Sequence, residues 1–288
     1  MSLDITSTGS VIGLRMTLRD DLRTTNNYLR TLRSMSLQPR GTSLRIIQIL
    51  FLLIFSVFSH GQNNQIQFDH LTIEDGLSQG SVYSILQDNR GFMWFGTRFG
   101  LNRYDGHDFK VFTHDPEDKN SLPGYRILDL YLDHSGTIWV GSETNGLARY
   151  NQNTENFHKF QYDQTDSSSL SSNLVTCIFE DSKQILWVGT RDGLNRFDVT
   201  RQKFIRYYYQ ENDSTSLPSN HISAISEVSP GNILVGFGSG QIATLNLESG
   251  RCKEIRNGEF WPATSSSRGI ECIIKDINND FFWISRFT

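Results

Sequence analysis

Trp94-Phe95-Gly96-Thr97-Arg98-Phe99-Gly100-Leu101-Asn102-Arg103-Tyr104-Asp105 returns as Trp187-Val188-Gly189-Thr190-Arg191-Asp192-Gly193-Leu194-Asn195-Arg196-Phe197-Asp198. A third copy lies between them, from Trp139-Val140-Gly141-Ser142 to Gly146-Leu147-Ala148-Arg149-Tyr150-Asn151. Repetition at this spacing marks an array of one supersecondary unit, which has to be read before any local motif.

Aligned on tryptophan, the units centre on Trp94, Trp139, Trp187, Leu234 and Trp283, at intervals of 45, 48, 47 and 49 residues. That period suits a blade of four antiparallel strands. The first strand runs from Val82, Ile127, Val175 or Ile270 to an Asp six residues later (Asp88, Asp133, Asp181, Asp276); in the fourth copy it runs from Ile222 to Val228. A turn with Gly follows, and the second strand carries Trp-x-Gly, its alternation sending Trp into the space between neighbouring blades. Leu101 to Tyr104, Leu147 to Tyr150 and Leu194 to Phe197 read as third strands, and Phe109 to Phe112, Phe157 to Phe160 and Phe204 to Tyr207 as fourth strands. The links 115 to 123, 164 to 172 and 212 to 219 are polar, share a Ser-Leu pair and read as surface crossings. Period-two alternation broken by Gly excludes a helical solenoid, and leucine-rich repeats would recur at half this interval. The fold class is therefore all-β, a β-propeller of four blades with a truncated fifth, expected to be incomplete. Trp94, Trp139, Trp187 and Trp283, with Gly96, Gly141 and Gly189, are its structural anchors.

The amino terminus reads as an address. A thirteen-residue run, 46 to 58, apolar except for Gln48 and Ser56, follows Arg40 and Arg45 and precedes Ser59-His60-Gly61-Gln62. The run is short for a bilayer span and fits a signal peptide cleaved before Gln62. The Arg-rich leader ahead of it is unusually long, so Met35 is the expected start; an organelle transit peptide is the competing reading. Residues 1 to 61 carry seven Arg and three Asp, net +4; the remainder, with 20 basic and 28 acidic residues, is net −8. An acidic repeat region argues against nucleic acid as a partner. Cys177, Cys252 and Cys272 are an odd number without paired spacing, which implies neither a zinc site nor a disulfide framework.

Phe68 through Gly76-Leu77-Ser78, the strand Val82 to Asp88, Gly91, Trp94, Gly96-Thr97 and Gly100 to Asp105 together resemble the two-component regulator propeller of the periplasmic sensor regions of hybrid histidine kinases. The resemblance covers 66 to 288. It implies a periplasmic or secreted, ligand-binding propeller with an oligosaccharide or similar small cue, and a homodimer through the full-length sensor. Membrane association would come only through the signal segment or a downstream span. No stalk, later span or kinase core follows Thr288, so the chain is expected to be a fragment and not itself an enzyme. Propeller lyases or hydrolases, and a protein-interaction scaffold, are the alternatives.

The domain boundaries expected are a leader over 1–61, a closing strand and loop over 62–80, with the strand at Ile66 to Ile73, and blades at 81–125, 126–173, 174–220, 221–268 and 269–288. Gly236-Phe237-Gly238-Ser239-Gly240 aligns with the blade hairpin and precedes no helix, so it reads as a turn and not as a phosphate loop. His107-Asp108 reads as a surface turn, and Asn212-Asp213-Ser214 as a loop. Asp88, Asp133 and Asp181 recur at strand ends as side-chain caps of turns, in place of a calcium site. No metal or cofactor is expected. Arg103, Arg149 and Arg196 are expected to pair with acids of the neighbouring blade. Arg98 and Arg191, in the hairpins, are the weak candidates for ligand binding, with an anionic sugar in view.

Overall fold

The computed structural model describes residues 2–8, 11–17, 70–255, 269–276 and 282–286. Two compact units divide the chain at Phe68. In the first, β1 (Ser2–Thr8) and β2 (Val11–Thr17) pair as an antiparallel hairpin. The apolar run at 46–58 and the cleavage point before Gln62 lie outside the described residues. Among the described residues no helix is long and apolar enough to cross a membrane.

The second unit is a series of blades. β3 (Val82–Gln87), β4 (Met93–Thr97), β5 (Gly100–Tyr104) and β6 (Phe109–Phe112) form the first four-stranded antiparallel sheet in chain order. β7 (Ile127–Leu132), β8 (Ile138–Ser142), β9 (Leu147–Asn151) and β10 (Asn156–Phe160) form the second. β11 (Val175–Glu180), β12 (Leu186–Thr190), β13 (Gly193–Asp198) and β14 (Lys203–Tyr207) form the third. β15 (Ile222–Ser229), β16 (Asn232–Phe237), β17 (Ile242–Asn246) and β18 (Cys252–Ile255) form the fourth, and β19 (Ile270–Lys275) pairs with β20 (Phe282–Arg286). First strands of successive blades are neighbours, so they line the inner side of the series. Each also carries a register shift after its first residue, as between Val82 and Ser84 or Ile127 and Asp129, a bulge that bends the strand.

The strand expected over 66–73 begins outside the described residues. From His70 the chain is not strand, and Ile73–Asp75 is a single 3-10 turn. The cause is local: Thr72 and Asp75 cap each other reciprocally, and Gly76 closes the turn at φ 106°.

Trp94 and Trp187 are fully buried and Trp139 is 3% exposed. Trp94 stacks on Phe112 of its own blade at 5.8 Å and meets Tyr150 of the next edge-on at 5.0 Å. Trp139 meets Phe197 of the third blade in the same way at 5.3 Å. The tryptophans are thus inter-blade core, as their alternation predicts; Trp283 differs, at 64% exposed.

The glycine two residues after Trp94, Trp139, Trp187 and Leu234 has a separate reason. A Cβ on Gly96 would stand 2.9 Å from Ile127 Cγ2, and one on Gly141 would stand 2.7 Å from Val175 Cγ1. Gly189 and Gly236 meet Ile222 and Ile270 at 2.8 and 2.7 Å. The bare backbone is the seat of the β-branched residue that opens the next blade.

The crossings differ from a plain surface link. Their polar part is exposed, but Leu122 and Leu170 are fully buried and Leu217 nearly so. Ser121 explains the pairing with leucine: its hydroxyl takes the Asp115 N–H at 3.0 Å and donates to the carbonyls of Asp115 and Asp118, closing the loop above the leucine. Ser169 and Ser216 repeat the contact with Asp163 and Gln210.

Candidate functional site

Strand order fixes which loops share a face. Strands two and three are joined at the same end of the blade as the crossing into the next blade, so these segments gather the candidate residues. The other end carries the turns built on Asp88, Asp133 and Asp181. There Asp88 Oδ1 accepts the backbone N–H groups of Arg90 and Phe92 at 2.9 and 3.1 Å, and Oδ2 accepts the Trp94 indole N–H at 3.0 Å. Burial would raise this carboxyl, but the Trp94 and backbone donors outweigh it and hold it below the usual carboxylate range. Asp133 with Trp139 and Asp181 with Trp187 repeat the arrangement at 2.8 and 2.9 Å, and Asp276 with Trp283 at 3.3 Å. These acids cap turns, as their recurrence suggests. Among the described residues no three His, Cys, Asp or Glu side chains are grouped to hold a metal ion.

At the crossing end, Arg98 and Arg191 are exposed and occupy the same place in their hairpins. Each donates its backbone N–H to the carbonyl preceding an inner strand, Ser81 at 3.3 Å and Leu174 at 3.0 Å. Glu143 and Gly238 hold that place in the second and fourth blades, bonding to Arg126 and His221. The two arginines are therefore separated by a blade whose counterpart is acidic and already paired: Glu143 Oε1 accepts from Arg126 Nη1 at 2.8 Å. In the fourth blade the His221 ring fills the space that a Cβ on Gly238 would need. Partial burial, then the Arg191 guanidinium, hold that imidazole below its ordinary value. Gly236 to Gly240 form the hairpin expected, with Gly240 N–H on the Phe237 carbonyl at 2.8 Å.

Of the arginines expected to bridge blades, Arg103 does so, reaching Glu155 of the second blade at 2.9 Å beside Lys110, which pairs with the same carboxylate. Arg149 and Arg196 have no acidic partner among the described residues.

The inner strands carry a set that the sequence reading passed over. Ser84, Asp129, Cys177, Ala224 and Cys272 follow the bulge in successive blades. Asp129 Oδ2 accepts the Ile178 N–H at 2.7 Å, while Oδ1 faces the Leu130 N–H at 2.9 Å and the Ser84 hydroxyl at 3.3 Å. One carboxyl thereby ties three blades. Burial raises it to about 7 against the pull of those donors. All three cysteines are free, and burial raises each thiol, Cys252 to about 11, so none is a thiolate nucleophile at neutral pH. An open cleft of about 600 Å³ lies beside Phe160, Tyr162 and Phe204 at the outer edge of blades two and three. Its charged groups are committed to the fold: Lys203 pairs with Asp166 at 2.6 Å, and Asp163 Oδ1 accepts the Thr165 N–H at 2.8 Å.

A further pair escaped the sequence reading. Asn102 Oδ1 accepts the Ser78 N–H at 2.8 Å and its amide donates to Ser78 Oγ at 2.8 Å; Asn195 and Ser171 do the same at 2.9 and 2.8 Å. In blades two and four the same two places hold Pro123 with Ala148 and Pro218 with Ala243. Proline has no N–H, so the asparagine has no donor to satisfy. The alternation Ser/Asn, Pro/Ala, Ser/Asn, Pro/Ala was the signal available in the sequence.

Residues 76–99, 121–144 and 169–192 match the family described as two component regulator propeller. Histidine kinase P4 of Formosa agariphila is 43% identical over 82 residues, which is 27% of this chain and 6% of that protein. Among solved structures, the extracellular domain of a hybrid two-component system of B. thetaiotaomicron has 31% identity and a TM-score of 0.66, covering 76% of this chain and 29% of the other. The extracellular domain of a one-component system from the same organism shares the fold at 23% identity and a TM-score of 0.60, covering 75% of this chain and 30% of the other. The chain thus spans 6% of the length of the kinase and under a third of the length of either solved domain. Three stretches of this chain thus match the two-component regulator propeller repeat, in a blade architecture similar to that of the extracellular domain of a hybrid two-component system.

Proposed function

We propose that this chain is the extracytoplasmic sensory propeller portion of a two-component sensor kinase and that its cue is a carbohydrate. The observation that carries the reading is the run of three matched repeats, within a fold shared at 31% identity with the extracellular domain of a hybrid two-component system. Coverage of 29% of that domain supports reading the chain as one part of a longer sensor. The role is binding: the recurring Asp88, Asp133 and Asp181 cap turns and the Ser78–Asn102 and Ser171–Asn195 pairs bond to each other, which is architecture and not proton transfer. Calorimetric titration of the purified chain with neutral and acidic oligosaccharides tests it. Saturable heat with a subset of glycans is expected; absence of heat with the whole set overturns the carbohydrate reading. A fusion of residues 1–62 to a reporter active only outside the cytoplasm checks the location, and a cytoplasmic reporter signal overturns it.

A further inference from the structure

Each blade serves as a control for the others. Residues that recur at equivalent places build the fold, and a copy that departs toward solvent does something else. The clearest such departure is at the crossing between the first two blades. Where the third blade crosses to the fourth, Asp192 of the β12–β13 hairpin and Asn220 of the crossing form a polar pair, Asn220 Nδ2 donating to Asp192 Oδ1 at 2.9 Å. Asn220 Oδ1 also accepts the Tyr209 N–H at 2.7 Å, as Asn173 Oδ1 accepts that of Tyr162 at 2.7 Å one blade earlier. At the first crossing the equivalent places are Phe99 and Tyr125.

The backbone role survives there, with Gly100 N–H on the Tyr125 carbonyl at 2.6 Å, as Gly146 and Gly193 bond Asn173 and Asn220. The side-chain cap does not survive. Instead the two rings stand 6.4 Å apart, Phe99 57% and Tyr125 50% exposed. His114, in the place of Tyr162 and Tyr209, meets Tyr125 edge-on at 5.3 Å. Its Nδ1 lies 2.8 Å from the Leu122 carbonyl, which can only accept, so Nδ1 carries the proton and Nε2 is left as an acceptor. The Asn145 amide lies 3.4 Å from that Nε2.

We infer that Phe99, Tyr125 and His114 form a platform for an uncharged sugar ring, with Asn145 and His114 Nε2 supplying hydrogen bonds at its edge. The inference rests on the carbohydrate reading above and locates its site. Two adjacent aromatic faces with a polar rim suit a ligand that has an apolar C–H face and a hydroxyl edge. Half-exposed rings of this kind offer on the order of 200 Å², well below the roughly 800 Å² per partner of a stable protein interface. The charges nearest in sequence are mixed, Arg98 beside Phe99 against Asp115, Glu117 and Asp118 after His114, so the platform presents no net cationic site for an anionic ligand.

The test uses the whole chain and neutral gluco-, manno- and xylo-oligosaccharides, with uronic-acid oligosaccharides as the charged arm. The variant Phe99→Asp with Tyr125→Asn rebuilds the polar pair of the third crossing and should melt at or above the wild-type temperature. It should bind a neutral glycan at least about tenfold more weakly, a loss of about 1.4 kcal/mol. Val199→Ala, on an exposed turn at the other end of the third blade, should bind as wild type does. Unchanged affinity in the double variant overturns the platform and leaves the sensor reading standing. Wild-type binding confined to uronic-acid glycans overturns the platform likewise. No binding of either class overturns both.

Discussion

The indole nitrogen of Trp187 donates to Asp181 Oδ2 at 2.9 Å, with both residues buried. The fourth blade lacks both partners together, Val228 standing for the acid and Leu234 for the indole. Removing one partner strands a buried polar group at about 1–3 kcal/mol, while replacing both by apolar groups is close to neutral for the hydrogen bond itself. Trp187→Leu and Asp181→Val should therefore each destabilise strongly, and the double variant by less than their sum, with a coupling of about 1–2 kcal/mol. Chemical denaturation of the four proteins checks this; strict additivity would contradict it.

The Ser171 and Asn195 pair makes a parallel case in a different chemistry. Asn195→Ala alone leaves the Ser171 N–H buried without its acceptor and should cost about 1–3 kcal/mol. Adding Ser171→Pro deletes that donor and recreates the pairing of Pro123 with Ala148. Thermal melting should show the second change recovering part of the first loss, whereas Ser171→Pro alone, facing an intact Asn195, should destabilise.

A seat too small for a methyl group makes a third prediction. Gly141→Ala forces a Cβ to within 2.7 Å of Val175 Cγ1 and should cost about 1–3 kcal/mol by overpacking. Val175→Ala removes the opposing methyl groups, so the double variant should be more stable than additivity allows. Equal destabilisation with and without Val175 would mean that the glycine serves only the backbone.

Asp129 sets a pH dependence of unusual sign. Its folded pKa of about 7 lies above the ordinary carboxylate value, so between roughly pH 4 and 7 the folded state holds a proton that the unfolded state has released. The contribution is fully present below about pH 4 and is lost as pH rises through about 7. Melting temperatures of wild type minus Asp129→Asn, measured from pH 4 to 8, should fall across that window; a flat or rising difference would contradict the assignment.

Much of this architecture was legible because it recurs at fixed offsets within one unit. Trp94 and Asp88, six residues apart, belong to one hairpin, and the repeated Asp declared its role as a turn cap. Contacts that join different segments were less visible. Ser78 reaches Asn102 across 24 positions, and Asp129 is tied to Ile178 across 49, so neither leaves a mark in local alternation. The buried leucines of the crossings were masked by the polar residues around them. Arg103 found its neighbouring acid, but Arg149 and Arg196 show that a repeated arginine need not keep a repeated partner. The first crossing was hidden for the opposite reason: Phe99 and Tyr125 look like ordinary drift until Asp192 and Asn220 are seen bonded in their place.

The seat formed by the glycine of each second strand, Gly96, Gly141, Gly189 or Gly236, lies on one blade and its occupant, Ile127, Val175, Ile222 or Ile270, on the next. Every full period therefore carries one socket and one plug, always in the same order along the chain. Tandem duplication of a single period would add both halves of that joint at once and create no junction of a new kind. Such an array can lengthen by copying its own gene segment, with the joints between units correct from the first generation.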